Sequence, residues 1–159
     1  METDIQALER LCAAADEPAR PSAAWRALDV LLQQRIGHKL LTVQRIDVSR
    51  QWSERVYSSQ PDAFGAYGRK SLDAAPQMRR VIATGKPLIL DGEDTVRSAF
   101  PDHARILAMG GACVLMVPMR VNGRTLAVIN LLGETGRYTD ADASFASVAA
   151  RLCVSALLG

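Results

Sequence analysis

Histidine, cysteine, net charge and long apolar runs are all in short supply in this chain, and each shortage removes a class of function. The two histidines, His38 and His103, stand far apart and form no helix-borne zinc pattern. Cys12, Cys113 and Cys153 are just as scattered: no close pair offers a zinc site, and an odd count speaks against a disulfide framework. That usage fits a reducing compartment. No stretch nears the roughly 20 apolar residues that cross a bilayer. The opening Met1-Glu2-Thr3-Asp4 is acidic where a secretory signal is basic. A cytoplasmic protein without membrane contact is therefore expected. A formal net charge of +2 is too small for a nucleic-acid face, and the pairs Arg69-Lys70 and Arg79-Arg80 read as solvated surface. Gly110-Gly111 lacks the lysine and spacing of a phosphate-binding loop, and no Ser stands in a nucleophile elbow. Asp91, Glu93 and Asp94 read as caps of a following helix. No catalytic residue, metal or cofactor is expected.

What remains is an ordinary globular composition. The 159 residues are 48% apolar and 23% charged, which suits one domain with a large core. Thr3-Asp4-Ile5-Gln6 is a capping-box pattern, and Ile5, Leu8, Cys12 and Ala15 draw an apolar stripe behind it, with Pro18 as the stop. A second helix from Ser22 to Gly37 carries Trp25, Leu28 and Leu32 on one side. Strands are expected over 40–48 and 55–59, then an irregular stretch over 60–74. Pro76 and Gly85 bracket a short helix, followed by a brief strand at 87–90. The polar segment 91–111 should hold two helical pieces broken at Phe100-Pro101. Two strong strands, 112–119 and 124–132, flank the hairpin signal Asn122-Gly123. Thr139 to Asp142 is another capping box, and its helix shows Phe145, Val148, Ala149, Leu152, Cys153 and Ala156 on one face. Neighbouring strands joined by tight turns imply an antiparallel sheet with the terminal helices together on one face, an α/β fold of the α+β type.

The run Ala112-Cys113-Val114-Leu115-Met116-Val117-Pro118-Met119, then Val121-Asn122-Gly123-Arg124 on to Leu132, resembles the closing hairpin of GAF domains. Gly136-Arg137-Tyr138-Thr139-Asp140-Ala141-Asp142 is similar to the entry of their last helix, and Thr84-Gly85-Lys86-Pro87-Leu88 to their exit into the third strand. The motifs stand in the right order, and the similarity runs over about residues 22–158. The resemblance implies a GAF/PAS-like antiparallel sheet, with the terminal helices on one face and lid connections on the other holding a small molecule. It also implies a helical extension at 1–20 ahead of a GAF-like domain at 21–159. Such domains usually precede an output domain, and none is read in this sequence.

Register decides which side chains could line that space. A three-residue loop with Gly123 as a bulge residue would pair Arg120 with Arg124, Val114 with Asn130 and Met116 with Val128. Cys113, Leu115, Val117, Ala127, Ile129 and Leu131 would then face the helices, leaving Val114, Met116, Val128, Asn130 and Leu132 as the floor of the lidded face. Asn130 is the polar exception, and a buried amide needs a partner, either a ligand or the lid backbone. The lid candidates are Tyr57, Phe64, Tyr67, Arg97, Phe100 and His103. Arg97 with His103 could recognise an anionic group. Alternatively, the aromatics pin a long connection while Arg97 pairs with Asp94 or Asp102.

The function expected is a small-molecule-sensing regulatory module acting in trans, with no catalysis of its own. Its partners would be an unidentified small molecule, a second copy in a homodimer and a downstream regulatory protein. The alternative is a ligand-free interaction module that dimerises through the stripe Ile5-Leu8-Cys12-Ala15 and the last helix. A third option is a redox enzyme like the free methionine-R-sulfoxide reductases. Those place reactive cysteines in the connection before the fourth strand, where this chain has none. Their carboxylate positions fall here on Val114, Asn130 and Leu132. Cyclic-nucleotide and bilin motifs are not visible.

Overall fold

A computed structural model of the chain describes residues 1–17, 21–65 and 68–158. Its elements are α1 (Asp4–Ala15), α2 (Pro21–Arg35), β1 (Leu40–Asp47), β2 (Trp52–Ser58), β3 (Gly68–Ser71), α3 (Pro76–Thr84) and β4 (Leu88–Asp91). They continue with α4 (Glu93–Ala99), α5 (His103–Ala108), β5 (Cys113–Val121), β6 (Arg124–Gly133) and α6 (Asp140–Leu152). The six strands form one sheet in the order β3-β2-β1-β6-β5-β4, antiparallel at every pairing.

Strand alternation sends successive side chains to opposite faces, so a single sheet serves two apolar cores. Leu41, Val43, Leu115, Val117, Ile129 and Leu131 pack with Ala7, Leu11, Trp25, Leu28 and Leu32 of the helix layer. Leu40, Ile46, Val114, Met116, Val128 and Leu132 pack with Met78, Val81, Val96 and Ile106 of the connecting helices. The sheet is thus sandwiched, with α1, α2 and α6 on one side and α3, α4 and α5 on the other. Among the described residues, no helix is long and apolar enough to cross a membrane.

Local signals hold where the chemistry is local. Both capping boxes form, Thr3 with Gln6 and Thr139 with Asp142. Gly85 closes α3 in the left-handed region at φ 66°. The helical pieces of the 91–111 segment break at Phe100. Pro18, expected to stop the first helix, lies outside the described residues; α1 ends at Ala15.

Several expectations need correction. β2 begins at Trp52 rather than Arg55, because the turn closes earlier, at Val48 to Gln51. The stretch expected to be irregular holds the edge strand β3, whose four exposed residues carry no apolar alternation to betray it. α1 buries Ala7 and Leu11, while Ile5 and Cys12 of the expected stripe are exposed. α6 buries Ala143, Ala146, Ala149 and Ala150, leaving Val148 in solvent.

The hairpin differs in register. Asn122 and Gly123 both take positive φ, 51° and 75°, and form a two-residue turn that pairs Val121 with Arg124. A bulge follows: Arg120 pairs with Thr125 but Met119 with Ala127, so Leu126 is the extra residue. Asn130 therefore stands opposite Met116, and Val114 opposite Leu132, instead of the pairings expected from a three-residue loop. Turn and bulge each move the register by one. The two shifts add, so every side chain keeps its expected face.

Candidate functional site

The lid-side core is not filled. Between the sheet and the connections lies a cavity of about 400 Å³, walled mainly by apolar side chains. Its floor is the middle of the sheet: Leu40, Thr42 and Gln44 from β1, Ser53 and Arg55 from β2, Val114 and Met116 from β5, Asn130 and Leu132 from β6. Its roof is Phe64, the start of α3 and the α4–α5 connection from Ala99 to Ile106.

Residues expected on the lidded face divide by where the fold puts them. Phe64, Phe100, Val114, Met116, Asn130 and Leu132 meet around the void. Val128 shares the face but is packed into the core without reaching it. Arg97 is exposed and pairs with Asp94 at 2.8 Å. His103 sits on α5 with Nδ1 2.9 Å from the Phe100 carbonyl oxygen, outside the lining. Tyr67 lies outside the described residues.

Tyr57 stands on the opposite face. Val43 pairs with Tyr57 and Gln44 with Arg55, so Val56 is an extra residue in β2. Plain alternation would set Tyr57 beside Ser53 and Arg55 over the void; the bulge turns it to the helix layer. There its hydroxyl donates to Asp29 Oδ2 at 2.6 Å, and burial pushes its phenol well above the ordinary value.

Beside Asn130, the floor's polar groups Thr42, Gln44, Ser53 and Arg55 come from β1 and β2, and none of these four is among the residues expected there. Thr42 pairs with Asn130 across β1 and β6, and Asn130 Nδ2 donates to Thr42 Oγ1 at 3.3 Å. The partner of the amide is thus a neighbouring side chain, neither of the two expected. Asn130 is only half-buried although its strand lies inside the sheet, which means that its open side is the cavity. Gln44 is in the same position on β1. A signal existed: positions 40, 42, 44 and 46 alternate, and Thr42 and Gln44 are polar where their neighbours on the face are apolar.

Two atoms facing this region have no hydrogen-bond partner although they are buried: Arg55 Nε and Gln77 Oε1. Arg55 donates through Nη1 to the Gly65 carbonyl at 3.1 Å, and its guanidinium stands 5.4 Å from the Phe64 ring centre. Arg105 covers the same ring at 4.4 Å. Burial, then the Arg105 cation, hold the Arg55 guanidinium below its ordinary pKa, while Asp102 acts the other way. Asp102 itself is engaged by Lys70 at 3.1 Å, an ion pair that links β3 to the α4–α5 connection at the cavity.

Thiol chemistry has no place in the void. Cys113 is buried in the helix-side core, where burial raises its thiol above the ordinary value. Burial pushes Cys153 up to about 12. Cys12 is exposed on α1, and all three thiols are free. Among the described residues no cluster of His, Cys, Asp or Glu could hold a metal.

A family profile described as "GAF domain" matches residues 6–158. Solved structures share the fold. A GAF domain/HD domain protein from Geobacter sulfurreducens is 20% identical over 94% of this chain and 99% of that one, with a TM-score of 0.69. The free methionine-R-sulfoxide reductase from Neisseria meningitidis, in complex with its substrate, is 16% identical over 99% and 93%, at 0.72. The GAF domain of a phosphoenolpyruvate-protein phosphotransferase from Coxiella burnetii is 12% identical over 95% and 90%, at 0.76. No curated protein matches the sequence.

Proposed function

The chain belongs to the GAF domain family, and from that premise we propose that it is a small-molecule-sensing regulatory module acting in trans on a downstream protein. One observation carries the reading: a cavity of about 400 Å³ on the lidded face, apolar in the main but holding a few polar groups, which is the usual make-up of a small-molecule site. Thr42, Gln44 and Asn130 open into it from a sheet interior where apolar side chains would have packed more simply. A substrate-bound relative of the same fold supports the idea that such a frame accommodates a small molecule. A ligand would bridge floor and roof, so binding would order the connections and be felt across the sheet by the helix layer.

Native mass spectrometry of gently purified protein, with thermal-shift screening against a broad metabolite panel, tests this. A binder raises Tm progressively with its concentration, as linkage requires. A protein that carries nothing and responds to no compound ends the reading. An interaction module would then remain, for which Ile5, Val30 and Val148, exposed on three helices, are the candidate contacts with a second copy in a homodimer.

A further inference from the structure

Among the described residues, Arg55 is the one cation of the cavity wall with no anionic partner at ion-pair distance. Lys70 and Asp102, the other charged residues of the lining, neutralise each other at 3.1 Å. Arg55 has only the neutral Gly65 carbonyl and the face of Phe64, and no carboxylate among the described residues lies within ion-pair distance of it. Arg105, on the same ring, adds a second positive charge nearby and is itself bonded to the Ala63 carbonyl at 2.9 Å. A cation taken half out of water with no counter-charge at ion-pair distance carries a desolvation cost, and a buried donor without an acceptor adds to it. Arg55 Nε is such a donor.

Resting on the sensing role proposed above, we infer that the cavity takes a small organic monocarboxylate, its carboxylate on Arg55 and its carbon skeleton against the apolar wall of Val114, Met116 and Leu132. A carboxylate supplies both things missing at Arg55, one negative charge and an acceptor in the plane of the guanidinium. Arg55 is the one uncompensated cation among the described residues of the lining, which does not include Arg105, so a monoanion suits the mostly apolar space better than a phosphate or a dicarboxylate, whose second charge would be buried without a partner. Gln77 Oε1, the second buried atom without a partner, is an acceptor and fits an N–H or O–H on the same ligand. It would orient the molecule rather than hold its charge.

Calorimetry and thermal shift with hexanoate, 2-hydroxyhexanoate and 4-methylpentanoate, each against its neutral amide, read the charge requirement directly. The acids are expected to raise Tm and the amides to have little effect. Arg55→Gln should weaken binding of the acids by roughly ten- to a hundredfold, as expected for a charged hydrogen bond. Arg55 also holds the 60–65 loop, so the Tm of each variant without ligand is measured first. Arg55→Lys, which keeps the charge but loses the fork, should fall between wild type and Arg55→Gln. Amides that bind as well as the acids, or an Arg55→Gln protein with unchanged affinity, would overturn the carboxylate assignment and leave the sensing role standing. So would a response only to some other class in the metabolite panel. Silence toward every compound would overturn both.

Discussion

Asn130 and Thr42 face each other across neighbouring strands and bond at 3.3 Å, with apolar Leu40, Met116 and Leu132 around them on the same face. A hydrogen bond of this kind contributes about 0.5–1.5 kcal/mol net, and replacing both partners with apolar groups of similar shape is often neutral. The fold therefore has little need of the pair. The double variant Thr42→Val/Asn130→Leu should lie within about 1 kcal/mol of wild type in urea unfolding, while the response of the protein to its ligand drops. A large loss of stability in the double variant would assign the pair to the fold instead. Arg55 and Gln77 belong with this pair, since each leaves a buried polar atom unanswered by the protein itself. A folded chain tolerates few such groups without a reason.

Among the elements, the sequence is most readable where a signal is local and least where the outcome depends on what packs opposite. Asn122-Gly123, both capping boxes and the Gly85 stop form because a few adjacent residues decide them. The bulges at Val56 and Leu126 leave no local mark, yet the first turns Tyr57 away from the void and the second restores the faces of the hairpin. β3 is legible only from its partner β2, having no buried residue of its own. On the terminal helices, bulk alone does not mark the buried face. α6 carries a bulky apolar flank, Phe145, Val148 and Leu152, beside a flank of alanines, and it is the alanine flank, Ala143, Ala146, Ala149 and Ala150, that lies buried in the helix-side core. α1 turns a different face inward from the expected stripe, burying Ala7 and Leu11 with Leu8 and Ala15 half-buried beside them. Leu11→Ala should then cost about 2–5 kcal/mol in urea unfolding, and Cys12→Ala no more than about 0.5. Equal costs for the two would restore the stripe through Ile5 and Cys12. For the cavity, the β5–β6 floor was readable from alternation, whereas the β1–β2 floor was not, because Thr42, Gln44, Ser53 and Arg55 look like ordinary strand polarity until a roof covers them.

Taken whole, the molecule is one sheet with a closed core on the helix side and an open one on the lid side, and the closed side sets its response to pH. Asp29 of α2 ties the helix layer to the sheet, accepting from the Tyr57 hydroxyl at 2.6 Å with His38 Nε2 2.8 Å from its other oxygen. Burial alone would raise the Asp29 carboxyl, but the adjacent His38 ring and the Tyr57 hydroxyl together outweigh it and hold it below the ordinary carboxylate value. A carboxyl whose pKa is lower in the folded state stabilises above its unfolded value, and that contribution is lost as pH falls through the folded one. At the other end, burial pushes Cys153 up to about 12 from an ordinary 9.0. Unfolding therefore becomes easier as pH rises above the ordinary thiol value, because only the unfolded thiol ionises there. The stability of the chain should form a plateau between these limits, falling on both sides. Asp29→Asn separates the two edges: it should be less stable than wild type at neutral pH, converge with it as pH drops below the carboxylate range, and leave the alkaline decline in place. A difference between the two proteins that stays constant under acid would mean that Asp29 acts through packing rather than through its charge.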